Sequence, residues 1–308
     1  MKQNNRMNIC KKMLNFFRTN VIKKNNLSFW MFVGPILAVF TLVILIPLIF
    51  GVYYSFTDWN GISSKITWVG FTNYVAAFND PTFLNSFKFT ALFTVVSVVV
   101  INCIGFGLAL LVTTGMKGNN LLRTIFFMPN LIGGLILGFI WQFIFTQVFA
   151  GLGNVLHQNW LLGWLSDGTT GFFGLVILMS WQMSGYLMVI YVAALQNIPP
   201  ELTEAAKIDG ANAWQRIKNI TFPLVGPAFT VSLFLTLSNS FKLYDQNLSL
   251  TAGGPANSTQ MLAMNIYNTA FKFNHMGVAQ AKAVIFLLIV GVITLTQVYF
   301  SKKNEVEA

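Results

Sequence analysis

Long stretches without a single charge restrict the fold of this 308-residue chain more than any motif does. Lys24 to Asp58, Lys88 to Lys117, Asp167 to Glu201, Lys218 to Lys242 and Lys282 to Lys302 each bracket a run lacking Asp, Glu, Lys and Arg. A further run extends from Thr124 to Ser166. Each can supply the ~20 apolar residues that cross about 30 Å of hydrocarbon. A backbone in hydrocarbon must satisfy its own N–H and C=O groups, so such runs become helices. Composition agrees: 9% of residues are charged and 55% hydrophobic, where soluble domains carry about 25% charged residues. The chain is therefore predicted to be an all-α polytopic membrane protein.

The 124–166 run is long enough to raise the question of one span or two. Its first part, 125–146, is a good span. Its second carries Gly151, Gly153, Asn154, His157, Gln158, Asn159, Trp160 and Trp164, a mixture suited to a membrane interface. One span is assigned there, giving about six in all: 29–55, 86–114, 124–147, 172–197, 223–245 and 281–301. The organisation is then a basic leader 1–28, a membrane domain 29–301 and a tail 302–308.

The net charge of +10 is placed for a membrane, not for nucleic acid. With six spans, 14 of the 19 Lys and Arg residues fall on the N-terminal side. Positive residues accumulate in the cytoplasm, so both termini and the 198–222 loop are expected there. The leader, with Phe16, Phe17, Val21 and Ile22 among its lysines, fits a segment lying on anionic lipid. The apolar run after it is too long for a cleaved signal peptide. Cys10 and Cys103 suggest neither disulfide nor metal site.

Between Glu204 and Pro227 lies a polar, helix-forming island joining two apolar spans. Pro199-Pro200 stops one helix and suits the start of the next. Glu201 and Glu204 fall where the helix dipole favours carboxylates. Asp209-Gly210 marks a turn, and a second short helix over 212–219 puts Trp214, Ile217 and Ile220 on one stripe. The plainer reading is a loop packed on its own spans. However, Glu204-Ala205-Ala206, Asp209-Gly210-Ala211, Ile220 and Pro223 resemble the EAA loop of permease subunits of binding-protein-dependent ABC importers. Ile217 stands where many members have Phe. The resemblance implies the type I permease fold of ABC importers, with a cytoplasmic coupling helix–turn–helix. Glu204, Ala205, Ala206, Asp209, Gly210 and Ala211 would then engage an ATPase subunit.

The stretch Leu250-Thr251-Ala252-Gly253-Gly254-Pro255-Ala256-Asn257-Ser258-Thr259 is similar to a Thr-x-Gly-Gly-Pro-x-x-Ser-Thr segment of carbohydrate permeases, which narrows the likeness to the maltose-importer type. That likeness implies a bacterial cytoplasmic membrane and several partners: a second permease, commonly a paralogue, two ATPase subunits and an external sugar-binding lipoprotein. No phosphate loop is present, so ATP and Mg2+ belong to the partner ATPase and this chain needs no cofactor. No catalytic or metal-ligating constellation is visible either.

Polar groups inside spans require a reason. Asn130, Gln182, Tyr186, Thr236, Asn239 and Ser240 are candidates for the substrate pathway. They offer neutral hydrogen bonds and an aromatic face, as a neutral sugar or oligosaccharide needs. Gln182 and Tyr186 share a helix face, as do Thr236 and Ser240. Ser180 and Ser184, with Asn73 and Asn102, fit interhelical packing better. Gly133, Gly134 and Gly138 suit close helix approach. A polyol, glycerol phosphate or sialic acid remains an alternative cargo, although a charged one calls for Arg or Lys and only Lys242 is near. An ion-coupled carrier would place ionisable groups mid-membrane, and the spans hold essentially none.

Overall fold

A computed structural model describes residues 27–114 and 118–303. Most of the basic leader, Cys10, Lys117 and residues 304–308 of the tail lie outside the described residues. The chain divides into two units, one ending at Tyr54 and one beginning at Ser55.

The first unit contributes helix α1 (Trp30–Tyr54), apolar throughout. One turn, Thr41–Leu45, widens to a π-helix shortly before Pro47. Proline has no N–H and crowds the carbonyl four residues back, and a widened turn accommodates both defects.

The second unit is built on helices α2 (Thr72–Phe78), α3 (Pro81–Val112), α4 (Asn119–Phe127), α5 (Gly134–Leu156) and α6 (Gly168–Gln196). There follow α7 (Pro200–Ile208), α8 (Ala213–Leu224), α9 (Gly226–Phe241), α10 (Asp245–Leu250), α11 (Leu262–Tyr267) and α12 (Met276–Lys303). Among the described residues the only β pairing is an isolated bridge, Thr57 to Trp68. Among the described residues five helices are long and apolar enough to span a membrane, or six if α8 and α9, bent by 70°, count as one.

Helices α3 and α6 form the centre. Gly105 permits their approach, since a Cβ there would stand 2.9 Å from Leu187 Cβ. Phe93, Ile101, Leu178, Leu187, Met188 and Tyr191 fill the core around them. Three of its polar side chains are linked: Tyr191 donates to Asn102 Oδ1 (2.6 Å), and Asn102 Nδ2 donates to Thr236 Oγ1 (3.1 Å). Asn73 donates to the carbonyls of Ser55 and Thr57. Both asparagines thus serve packing.

Several boundaries differ from those expected. No single helix covers 124–147. A short helix ends at Phe127, Pro129 sits in a 3-10 turn at Met128–Leu131, and extended Gly133 caps a new helix that runs to Leu156. Proline and glycine break the helix in a run where hydrophobicity is uniform. Gly151, Gly153 and Asn154 stay helical, and the helix ends at a left-handed His157. The fifth span, expected over 223–245, is helical from Gly226 to Phe241 and bends sharply at Val225. The second helix of the polar island, expected over 212–219, continues to Leu224 through a π turn at Ile217–Thr221. Helices α3, α6 and α12 also begin four or five residues before the expected 86, 172 and 281.

Candidate functional site

Two features stand at different levels of the second unit. The first is the α7–α8 elbow. Helix α7 starts with Pro200 in its first turn and ends in a Schellman motif, with Ala211 N–H bonded to Ala206 O (2.9 Å) and Gly210 N–H to Lys207 O (3.1 Å). Gly210 supplies the required left-handed backbone at φ +80, which costs glycine little. Asn212 then caps α8 in a reciprocal box with Gln215, and Arg216 Nη1 donates to Ala211 O (2.6 Å). A rigid two-helix corner results. Glu204, Ala205, Asp209 and Gly210 are exposed on it, while Ala206 and Ala211 are half-buried. The expected apolar stripe is divided. Trp214 is 70% exposed and Ile208 87%, whereas Ile217 and Ile220 are half-buried.

The second feature is a cavity of ≈ 320 Å³ between α6 and α9, closed by the Met128–Leu131 turn and by α10. Asn130, Gln182, Tyr186 and Asn239 line it together, with Lys242 and Gln246. Met179, Met183, Leu235 and Leu243 supply its apolar walls. Gln246 Nε2 donates to Gln182 Oε1 (2.9 Å), and Gln182 Nε2 donates to Ile132 O (3.3 Å), so α10 holds the α6 amide in place. Asn239 Nδ2 donates to Leu235 O (2.9 Å), leaving its oxygen for another partner. The cavity therefore presents neutral donors and acceptors beside thioether and aromatic surface, with one exposed ammonium from Lys242.

Two candidates do not join it. Thr236 is 0% exposed and bonded to Ser232 O and Asn102, and Ser240 is 0% exposed against Met179 Sδ. They share a face, but that face points into the α3–α6 core, about 100° per residue around the helix from Asn239. Ser184 donates to Ser180 O. Ser180 and Trp181 instead line a larger cavity, ≈ 640 Å³, whose walls are almost wholly apolar. Gly134 and Gly138 fulfil the packing role expected of them, since a Cβ at Gly138 would stand 2.8 Å from Ser249 Cβ on α10.

Gln246 was missed because the residues after Phe241 carry no span-like pattern, and only the turn at 242–244 brings α10 back over the cavity. Lys282 is 2% exposed, although its place at the edge of a charge-free run marks it as an ordinary flank. Its Nζ pairs with Asp80 Oδ2 at 2.7 Å and also donates to Asn265 Oδ1 (2.9 Å) and Thr269 Oγ1 (2.8 Å). Asp80, which also caps α3, has its carboxyl pKa held below the ordinary 3.8. Burial alone would raise it, but hydrogen bonds from Lys282 and Thr82 and the Lys282 charge prevail.

Comparison with known proteins places the geometry in a family. Residues 101–306 match the binding-protein-dependent transport system inner membrane component. The chain is 57% identical to the probable starch degradation products transport system permease protein AmyD of Thermoanaerobacterium thermosulfurigenes, over 92% of this chain and 97% of that protein. It is 31% identical to the multiple sugar-binding transport system permease protein MsmF of Streptococcus mutans, over 84% and 90% of the two chains. A solved bacterial ABC transporter involved in the import of the acidic polysaccharide alginate shares the fold at TM-score 0.76 and 20% identity, covering 95% of this chain and 99% of that one. The chain is thus a member of the family of inner membrane components of binding-protein-dependent transport systems.

Proposed function

We propose that this chain is the permease subunit of an ATP-driven importer that carries a neutral sugar or oligosaccharide into the cytoplasm by alternating access. The observation that carries the reading is that one helix serves both features. Gln182 and Tyr186 on α6 line the polar cavity, and α6 runs on to Gln196, directly before the elbow. Gln182 lies about 21 Å of helix from that end, so a force on the elbow reaches the cavity through one rigid element.

The elbow, with Ile208 and Trp214 exposed, docks on one of two ATPase subunits, which bind ATP and Mg2+. A second permease, a paralogue of this chain, completes the pathway, and an external lipoprotein delivers the sugar. Both termini and the elbow face the cytoplasm. Among the described lining residues Lys242 is the one cation, and it lies exposed, which favours a neutral cargo over a phosphate or carboxylate. Ion coupling fares worse: the buried Lys282 sits about 9 Å into its helix with its three donors already engaged.

Reconstitution of the whole importer tests the proposal. Gly210→Val forces a β-branched residue to φ +80 and should distort the elbow. Sugar-stimulated ATP hydrolysis should fall at least fivefold while membrane insertion is retained. Undiminished coupling in that variant, or labelling of Ala211 or Asn212 from outside intact cells, would refute it.

A further inference from the structure

A second polar cavity, ≈ 390 Å³, is walled by the start of α3, the 257–260 loop, α11 and the start of α12. Helix α6 begins beside this loop, where a Cβ on Gly171 would stand 2.7 Å from Thr259 Cγ2, and its other end leads to the elbow. The cavity therefore lies at the end of the unit opposite the elbow. It shares no lining residue with the cavity between α6 and α9.

Its wall contains Lys282 and Asp80. An ammonium has three donors, and Lys282 spends them on Asp80, Asn265 and Thr269. Asp80 Oδ1 also accepts from Thr82. The pair is neutral and its ammonium is saturated, yet it fixes what lies beside it. Because Asn265 Oδ1 accepts from Lys282, Asn265 Nδ2 must point at Gln260, so the Gln260 atom facing it at 3.1 Å is the oxygen. Ser86 donates to the same oxygen at 3.3 Å. Gln260 is only 6% exposed, and its Nε2, turned the other way, has no hydrogen-bond partner among the described residues. Lys272 and His275 line the same cavity and are exposed. Asp80 is the sole carboxylate among the described lining residues. The Lys272 ammonium, the His275 ring and the Gln260 amide donor remain unspent, and a carboxylate complements them.

We infer that this cavity is a docking socket for an acidic side chain of the external binding protein. The inference rests on the function proposed above, which puts this end outside. A carried solute would have to enter the α6–α9 cavity, and this one offers no shared wall by which to reach it. A carboxylate seated here bridges the 257–260 loop, through Gln260, and the segment leading into α12, through Lys272 and His275, and so registers the delivery protein on the permease. Rim charges of this kind set association rate and salt dependence.

The test uses the whole importer in lipid nanodiscs, titrated with its sugar-binding protein, with ATP hydrolysis as readout. The double variant Lys272→Glu/His275→Glu changes only exposed side chains and should raise the half-saturating binding-protein concentration on the order of tenfold. It should reduce the salt dependence of docking and leave basal hydrolysis and the maximal stimulated rate unchanged. Gln260→Met should raise half-saturation severalfold. Reversing one acidic residue on the binding protein should restore affinity to the double variant alone. Unchanged half-saturation in the double variant, with wild type still stimulated, overturns the inference. So does thermal protection of the wild-type chain by free glucuronate, lost in the variant while binding-protein titration is unaffected. A wild-type importer that no binding protein stimulates refutes the proposed function instead.

Discussion

Replacing Asp80 with Asn takes the counter-charge from an ammonium whose side chain is 3% exposed. Removing one partner of a buried pair costs about 3–5 kcal/mol, because the remaining charge has neither water nor a partner. Asn keeps one acceptor, so about 3 kcal/mol is expected for Asp80→Asn. The converse change is milder. Lys282→Met strands a carboxylate that is 27% exposed and can recover water, and about 2 kcal/mol follows from that and from the donors lost to Asn265 and Thr269. The double variant removes both charges together and should cost about 2–3 kcal/mol, well short of the sum, with a coupling of about 2 kcal/mol. Each kcal/mol moves the thermal midpoint of a chain this size by about 2 °C. Asp80→Asn should therefore lower the midpoint in detergent by about 6 °C, against almost no change for Lys88→Met at an exposed site. The pH dependence has a fixed sign. Asp80 has a folded pKa below the ordinary 3.8, so its stabilisation is complete above 3.8 and is lost as pH falls from there through the folded value. Wild type and Lys282→Met should converge in that window. Additive single variants, or an Asp80→Asn protein as stable as the Lys88→Met control, would refute the reasoning.

Gly185→Ala would place a Cβ 1.7 Å from the carbonyl oxygen of Phe126, and backbone cannot yield as a side chain can. A loss of about 2–3 kcal/mol and of folded yield on size exclusion is expected, and a wild-type midpoint would contradict the α4–α6 contact. Asn239→Ala and Tyr186→Ala should cut sugar uptake at least fivefold per folded molecule with little change in midpoint. Thr236→Val should do the reverse, costing about 1 kcal/mol through its Asn102 bond without altering uptake; interchange of these patterns would displace the proposed pathway. Asn212→Ala removes the capping box of α8 and should weaken the elbow by about 1 kcal/mol, seen as roughly fivefold faster amide exchange over 213–216. Unchanged exchange there would show that the cap is dispensable.

Sequence alone determined whatever depends on neighbours a few positions away. Uniform hydrophobicity between charges required membrane-length helices, because no other backbone arrangement satisfies itself in hydrocarbon. The elbow was legible for the same reason: Pro200, Gly210 and Asn212 act on their own turns, and the caps form where those residues stand. The facing of Gln182 and Tyr186 followed from helical period. Tertiary structure decided which face of a helix meets a cavity. Thr236 and Ser240 share a side, as the i,i+4 spacing predicts, but packing against α3 and α6 buries that side, while Asn239 reaches the cavity. It also decided the fate of Lys282 and Asp80, which are 202 positions apart in the chain. Each looks like an ordinary flanking charge by itself, and only the folded protein, by bringing the ends of α3 and α12 together, turns them into a buried pair. A charge's neighbours in the chain do not report the medium around it, and that medium fixes whether the charge is solvated, paired or left to bind.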